Sequence, residues 1–254
     1  MNPQTLDVAS SILASTARLW RGTMASPRPR AENPELQLFD REGCIECRLV
    51  REALSELNLD AQIFPFPLRG QRYLEDLKSR SGSTRVPFLF NPQTSKGYAG
   101  ASEIVNFLFE TYSRRDVPLP LREGLISRWM SHAATVIRGN RGVTASPSRP
   151  ADKPLTLYSF ESSPYSRLVR ERLTELELAY TLINLSKQQI ADLGPATQRL
   201  HVGKYEPLPG SKREAFLRKH GRVQVPYLED PNTGVALFES ARILQYLNDQ
   251  YSRG

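Results

Sequence analysis

With 254 residues, 39% of them apolar and 24% charged, the chain is long enough for two ordinary domains with cores of their own. Lys and Arg outnumber Asp and Glu to give a formal charge of +7, yet they are scattered beside acidic residues and form no basic run. That distribution argues against a nucleic-acid partner and fits a small anionic ligand better, and no apolar stretch approaches the roughly 18 residues of a membrane span.

In chain order, Val8 to Trp20 has an amphipathic helical pattern and, with Arg18, Arg21 and several serines, the look of a targeting peptide. A second copy argues otherwise. The proline-rich stretch from Ala25 to Pro34 is echoed from Ala145 to Pro154, and Arg21-Gly22 by Arg141-Gly142. A leading helix, over Val8 to Trp20 and again over Leu125 to Ile137, is therefore expected as structure before each of two repeats. The reducing cell interior is then the expected address.

Leu36 to Leu59 follows as a short strand, a polar turn over Asp40 to Gly43, and a helix with Val50, Ala53, Leu54 and Leu57 at helical spacing. Cys44 and Cys47, the only cysteines, fall where that helix begins. Its first turn has N–H groups without intrahelical partners and the positive end of the helix dipole, so a thiolate at Cys44 is favoured. Arg48 should assist and Glu46 oppose. Two cysteines three apart do not make a closed zinc site, and His132, His201 and His220 are dispersed, so no metal site is expected. Two idle, buried cysteines are the alternative reading.

Ala61 to Phe66 reads as a second strand, Tyr73 to Ser79 as a short helix ending near Gly82, and Val86-Pro87-Phe88-Leu89 as a strand entered through a proline. A hairpin turn at Asn91 to Thr94 and a closing helix over Ile104 to Tyr112 complete the series. All of it recurs. Leu155 to Leu178 repeats Leu36 to Leu59 at 12 of 24 positions without a gap, which establishes an internal duplication. From Val225-Pro226 onward the offset has grown from 119 to 139, which locates a 20-residue insertion between Leu178 and Val225. Carrying Lys187, His201, Lys204, Tyr205, Lys212 and Arg213, it is either a solvated excursion or a basic flap over a ligand. Where repeat one has its cysteines, repeat two has Ser163-Pro164-Tyr165-Ser166.

Strand, Cys-x-x-Cys at a helix start, strand, helix, Val-Pro before a strand, hairpin and closing helix: this series resembles the thioredoxin-like fold, and within it the glutaredoxins and the N-terminal domain of glutathione transferases. The implied class is α/β, two tandem thioredoxin-like domains each preceded by a helix, residues 1–114 and 115–254. The resemblance implies cis peptide bonds at Pro87 and Pro226, with the backbone of Val225 (and its counterpart Val86) pairing with the cysteinyl part of glutathione. It also implies that an acidic-serine pair at the closing helix holds the γ-glutamyl group. Glu239-Ser240 matches that pair; Gly100-Ala101 in repeat one does not.

Ser163, flanked by Tyr165, would by the same resemblance steady the glutathione thiolate, or else act only as a helix cap. The implied function is a glutathione-linked thiol–disulfide oxidoreductase acting on a small-molecule or protein disulfide, with Cys44 attacking, Cys47 resolving and glutathione as co-substrate. Alternatives are a glutathione-binding scaffold without turnover, a transferase or isomerase reaction on an electrophile, and an iron–sulfur site shared by Cys44 and glutathione.

Overall fold

The computed structural model describes residues 3–17, 19–25, 35–113, 115–122, 141–194, 196 and 203–253. The helix expected over Leu125 to Ile137, His132, His201 and residues 26–34 lie outside the described residues.

A helix, α1 (Pro3–Ala17), precedes repeat one, which runs β1 (Gln37–Asp40), α2 (Ile45–Glu56), β2 (Ala61–Pro65), α3 (Leu74–Ser81), β3 (Phe88–Asn91), β4 (Lys96–Ala99) and α4 (Ala101–Tyr112). Repeat two follows the same order with β5 (Leu155–Ser159), α5 (Pro164–Glu175), β6 (Tyr180–Asn184), α6 (Lys212–His220), β7 (Tyr227–Asp230), β8 (Val235–Phe238) and α7 (Ser240–Tyr251). The α1 helix stops three residues short of the expected Trp20, because Leu19 and Trp20 both adopt left-handed backbone, at φ 51° and 53°.

Within each repeat the first two strands pair in parallel and the hairpin strands pair antiparallel, β1 with β2 and β3, β5 with β6 and β7. Alternation along the strands sorts the core. Leu38, Ile63 and Leu89 join Val50 and Leu54 of α2 and Ile104 and Leu108 of α4 on one face, whereas Phe39 and Phe88 meet Phe66 and Leu77 on the other.

Alone, repeat one would leave β2 as an open sheet edge, with unpaired N–H and C=O groups inviting other strands. Here β2 pairs antiparallel with β6, Ala61 opposite Leu182 and Ile63 opposite Tyr180, so the strands form one eight-stranded sheet in the order β4-β3-β1-β2-β6-β5-β7-β8. The apolar core is correspondingly continuous from Leu38 through Ile63 to Leu157, Tyr180 and Leu182.

Above this seam, α2 and α5 exchange charges. Arg51 donates from Nη1 to Asp40 at 2.8 Å and from Nε to Glu161 at 3.0 Å, while Arg170 donates from Nε and Nη2 to Glu42, each at 3.0 Å. All five side chains are at most 3% exposed. Burial alone would raise the Glu42 carboxyl, but the Arg170 and Arg51 guanidiniums overrule it and hold the group at about 2.

The lead-ins cross over. Although α1 precedes repeat one in the chain, it lies on α5 of repeat two, and residues 23–25 pair with Lys187, whose N–H donates to Thr23 O at 2.8 Å. Conversely Leu68 of repeat one donates its N–H to Val143 O at 2.7 Å. The crossings pass so close that a Cβ on Gly22 (φ +72°) would sit 2.8 Å from Glu161 Cβ, and one on Gly142 (φ +69°) 2.9 Å from Glu42 Cβ.

Candidate functional site

In repeat one, β1 ends at Asp40 and a turn carries the chain to Cys44, the cap of α2, in extended backbone at φ −81°, ψ 134°. Its Sγ accepts a hydrogen bond from Cys47 N–H at 3.4 Å, which answers one of the unpaired donors of the first turn. Cys44 is partly exposed and Cys47 fully buried.

The two thiols are driven apart in acidity. The Cys47 side chain and its N–H both hydrogen-bond the Cys44 sulfur and, with Arg41, bring its pKa down to about 7 against burial and the negative charge of Asp40. Burial pushes the Cys47 thiol well up, and donating to Cys44 pushes it further. The leading charges on Cys44 are thus Asp40 and Arg41, where the sequence pointed to Glu46 and Arg48. Arg48 is 2% exposed, turned into the α2–α5 seam with its ionisation shaped by burial and by Glu161.

Register assembles the rest of each end. Phe39 pairs with Phe88 and Phe88 with Ala99, so one step further brings Asp40, Pro87 and Gly100 side by side, and Gly100 N–H donates to Pro87 O at 3.0 Å. In repeat two Tyr158 pairs with Tyr227 and Tyr227 with Phe238, which brings Ser159, Pro226 and Glu239 together in the same way. Both Val86-Pro87 and Val225-Pro226 are cis.

Ser163 caps α5 as Cys44 caps α2, accepting from Ser166 N–H at 3.3 Å with Pro164 at the first helical position. It is only 3% exposed, because α1 lies across this turn: Ser11 Oγ donates to Pro164 O and Ser15 Oγ to Ser162 O, each at 2.8 Å. Tyr165, at 44% exposure, faces solvent.

At the start of α7, Ser240 is buried and Glu239 is exposed, its carboxylate accepting from Gln224 Nε2. Glu239 stands at φ +72°, ψ 118°, a conformation that suits glycine, and its counterpart in repeat one is indeed Gly100 at φ +82°. Repeat two keeps a charged side chain where the backbone would accept Gly at lower energy. Such strain is concentrated at functional positions.

Since β2 and β6 run antiparallel, so do β1 and β5, and the Cys44 end of repeat one lies at the opposite end of the sheet from the Glu239 end of repeat two. Ser163, Val225, Pro226, Glu239 and Ser240 are gathered at one end, Cys44, Cys47, Val86 and Pro87 at the other.

The described residues of the insertion are fastened down. Lys212 donates to Asn58 O at 2.7 Å, Arg213 donates to Leu185 O at 2.7 Å and to Tyr205 Oη at 3.1 Å, and Lys187 donates to Gly194 O at 2.9 Å. His220 packs against Phe216 and Tyr227 with ring centroids 4.4 and 4.5 Å away. A cleft of about 630 Å³ beside α4, lined by Val105, Phe109, Arg115, Leu121 and Arg122, includes none of the candidate residues. Among the described residues no group of three His, Cys, Asp or Glu side chains could hold a metal ion, and no helix is long and apolar enough to cross a membrane.

What the sequence missed is the buried Arg-Glu seam. Its signal was there, in the identity of Arg51 with Arg170 and Glu42 with Glu161, charged residues repeated where a lone module would leave them to solvent.

A family model for the glutathione S-transferase N-terminal domain matches twice, over residues 38–116 and 157–253. The chain belongs to this family. Neither curated proteins nor solved structures yield a match. The tandem thioredoxin-like architecture implied by the resemblance therefore stands, in a family whose members are linked to glutathione.

Proposed function

We propose that this member of the glutathione S-transferase N-terminal domain family is a glutathione-linked thiol–disulfide oxidoreductase whose chemistry is carried by Cys44 and Cys47. The observation that supports it is the partly exposed Cys44 at the α2 N-terminus, with a pKa of about 7 and a buried thiol one turn on. At neutral pH about half of Cys44 is then thiolate, against a few per cent for an ordinary thiol.

The Cys44 thiolate attacks one sulfur of a disulfide, forming a mixed disulfide and releasing the other half as a thiolate. Cys47 then loses its proton, attacks the Cys44 sulfur, expels the second thiolate and leaves a Cys44–Cys47 disulfide. Two glutathione molecules return the pair to dithiol and leave as oxidised glutathione. The high Cys47 pKa makes the second step the slow one.

In repeat two, Ser240 and the α7 N–H groups hold the γ-glutamyl carboxylate, Glu239 pairs with its ammonium, and Val225 offers its backbone beside Pro226 to the cysteinyl unit. With the two sites at opposite ends of the sheet, the reductant reaches repeat one from solution and is not handed over from repeat two. Such a dithiol works in a reducing compartment such as the cytoplasm.

The test is reduction of a low-molecular-weight disulfide with glutathione as the reductant. Turnover should vanish in Cys44→Ser; turnover unchanged in that variant would end the proposal. A second reading, glutathione binding without turnover, is favoured by the near-complete burial of Ser163, which keeps its hydroxyl from a ligand thiol while α1 is in place. It predicts glutathione binding to repeat two and no activity in any thiol assay.

A further inference from the structure

The helix α1 is built inside out. The face it turns to α5 carries Ser11, Ala14 and Ser15, at most 1% exposed, and the two hydroxyls are spent on the carbonyls of Pro164 and Ser162. Arg167 adds a bond from Nη1 to Ser11 O at 2.7 Å. The opposite face, Leu6, Ala9, Ile12, Leu13 and Thr16 at three- and four-residue spacing, is exposed and carries no charge.

Beyond α1 the two left-handed residues Leu19 and Trp20 hold their side chains out at 77% and 42% exposure, and Met24 follows at 42%. Six of the ten exposed large apolar side chains among the described residues thus fall within residues 6–24. A helix that ends its packing at water does the reverse, apolar side in and polar side out. An apolar stripe with an adjoining aromatic marks a contact surface.

We propose that this face of α1, with Leu19 and Trp20, seats on the surface of an anionic lipid bilayer. The stripe brings no charge that would have to leave water, so it can enter the boundary between headgroups and acyl chains, where a helix lying in the plane sinks about 5–10 Å. Trp20 sits at the end of the stripe next to Arg21, the pairing of amphipathic ring and cation that suits headgroup depth. Arg141, half-exposed, flanks the other end through its ion pair with Asp7. The formal charge of +7 on the whole molecule draws it to anionic lipid and opposes its approach to a second, equally charged copy. This inference does not rest on the proposed redox activity.

The experiment is flotation of the full chain with phosphatidylcholine vesicles, with and without phosphatidylglycerol. Wild-type protein should float with the phosphatidylglycerol vesicles, less with phosphatidylcholine alone, and less again as salt is raised. Leu13→Glu and Leu19→Glu should each weaken binding by about tenfold or more, with circular dichroism and Cys44 alkylation unchanged. Should either variant fail to fold, quenching by brominated lipid provides the second readout: present in the wild type, and reduced in Trp20→Phe. Protein that stays with the aqueous fraction under all these lipids would overturn the proposal. So would a lipid-independent dimer, seen by light scattering, that Leu13→Glu takes apart, since the face would then belong to a second copy.

Discussion

The two ends of the sheet are built alike and equipped differently. Cys44 and Ser163 cap equivalent helices with the same side-chain-to-backbone bond three residues on, at 3.4 and 3.3 Å, and each stands beside a strand entered through a cis proline. The closing helices then invert the distribution. Repeat one, with the thiols, begins α4 at Gly100 and a buried Ala101; repeat two, without them, begins α7 at a strained Glu239 and Ser240. Duplication kept the backbone of both ends while the polar groups parted. In a thioredoxin-like module, sulfur chemistry and the ligand clamp hang on separate elements, one on the first helix and one on the last, and can be lost independently.

Five substitutions break or sharpen that contrast. Cys44→Ser should lower disulfide turnover by about a hundredfold or more, whereas Ser163→Ala should leave turnover within about twofold, measured with glutathione as reductant. Glu161→Ala should cost about 3–5 kcal/mol in urea unfolding, because it strips Arg51 and Arg170 of a shared buried carboxylate. The seam also sets an acid limit: Glu42 is held at about 2 against an ordinary 4.5, so its stabilisation is full above about pH 4.5 and lost as pH falls towards 2. Calorimetric titration of glutathione should show at least about tenfold weaker binding in Ser240→Ala, with turnover at Cys44 retained.

Smallest and most pointed is Glu239→Gly. Relieving φ +72° should raise stability by about 1 kcal/mol in thermal unfolding while glutathione binding falls. Lower stability would mean that the strain is imaginary; higher stability with intact binding would mean that Glu239 is not held for a ligand.

Much of this fold was legible in the sequence because its signals are local and occur twice. The proline before Phe88 and before Tyr227, the turn at Asn91-Pro92 and at Asp230-Pro231, and the apolar spacing from Val50 to Leu57 each fix an element through a few neighbouring residues. Joining of the repeats was not legible, because the pairing of Ala61 with Leu182 depends on an edge strand whose composition is that of any strand. The crossing of α1 onto repeat two was hidden for a like reason: Ser11 and Ser15 look like the polar side of the helix, and only their bonds to Pro164 and Ser162 carbonyls reveal it as the packed side. At the thiols, the sequence identified the helix start, but not that Arg41 and Asp40, contributed by the turn and strand end, would outrank Arg48 and Glu46.

The central claim is that one end of this duplicated sheet presents a reactive thiolate. The rate of Cys44 alkylation by iodoacetamide against pH, read by mass spectrometry of the peptide, tests it most directly. A sigmoid with its midpoint near pH 7 and an unlabelled Cys47 is the predicted result. A midpoint near the ordinary 9.0, or labelling of Cys47 as fast as Cys44, would contradict it.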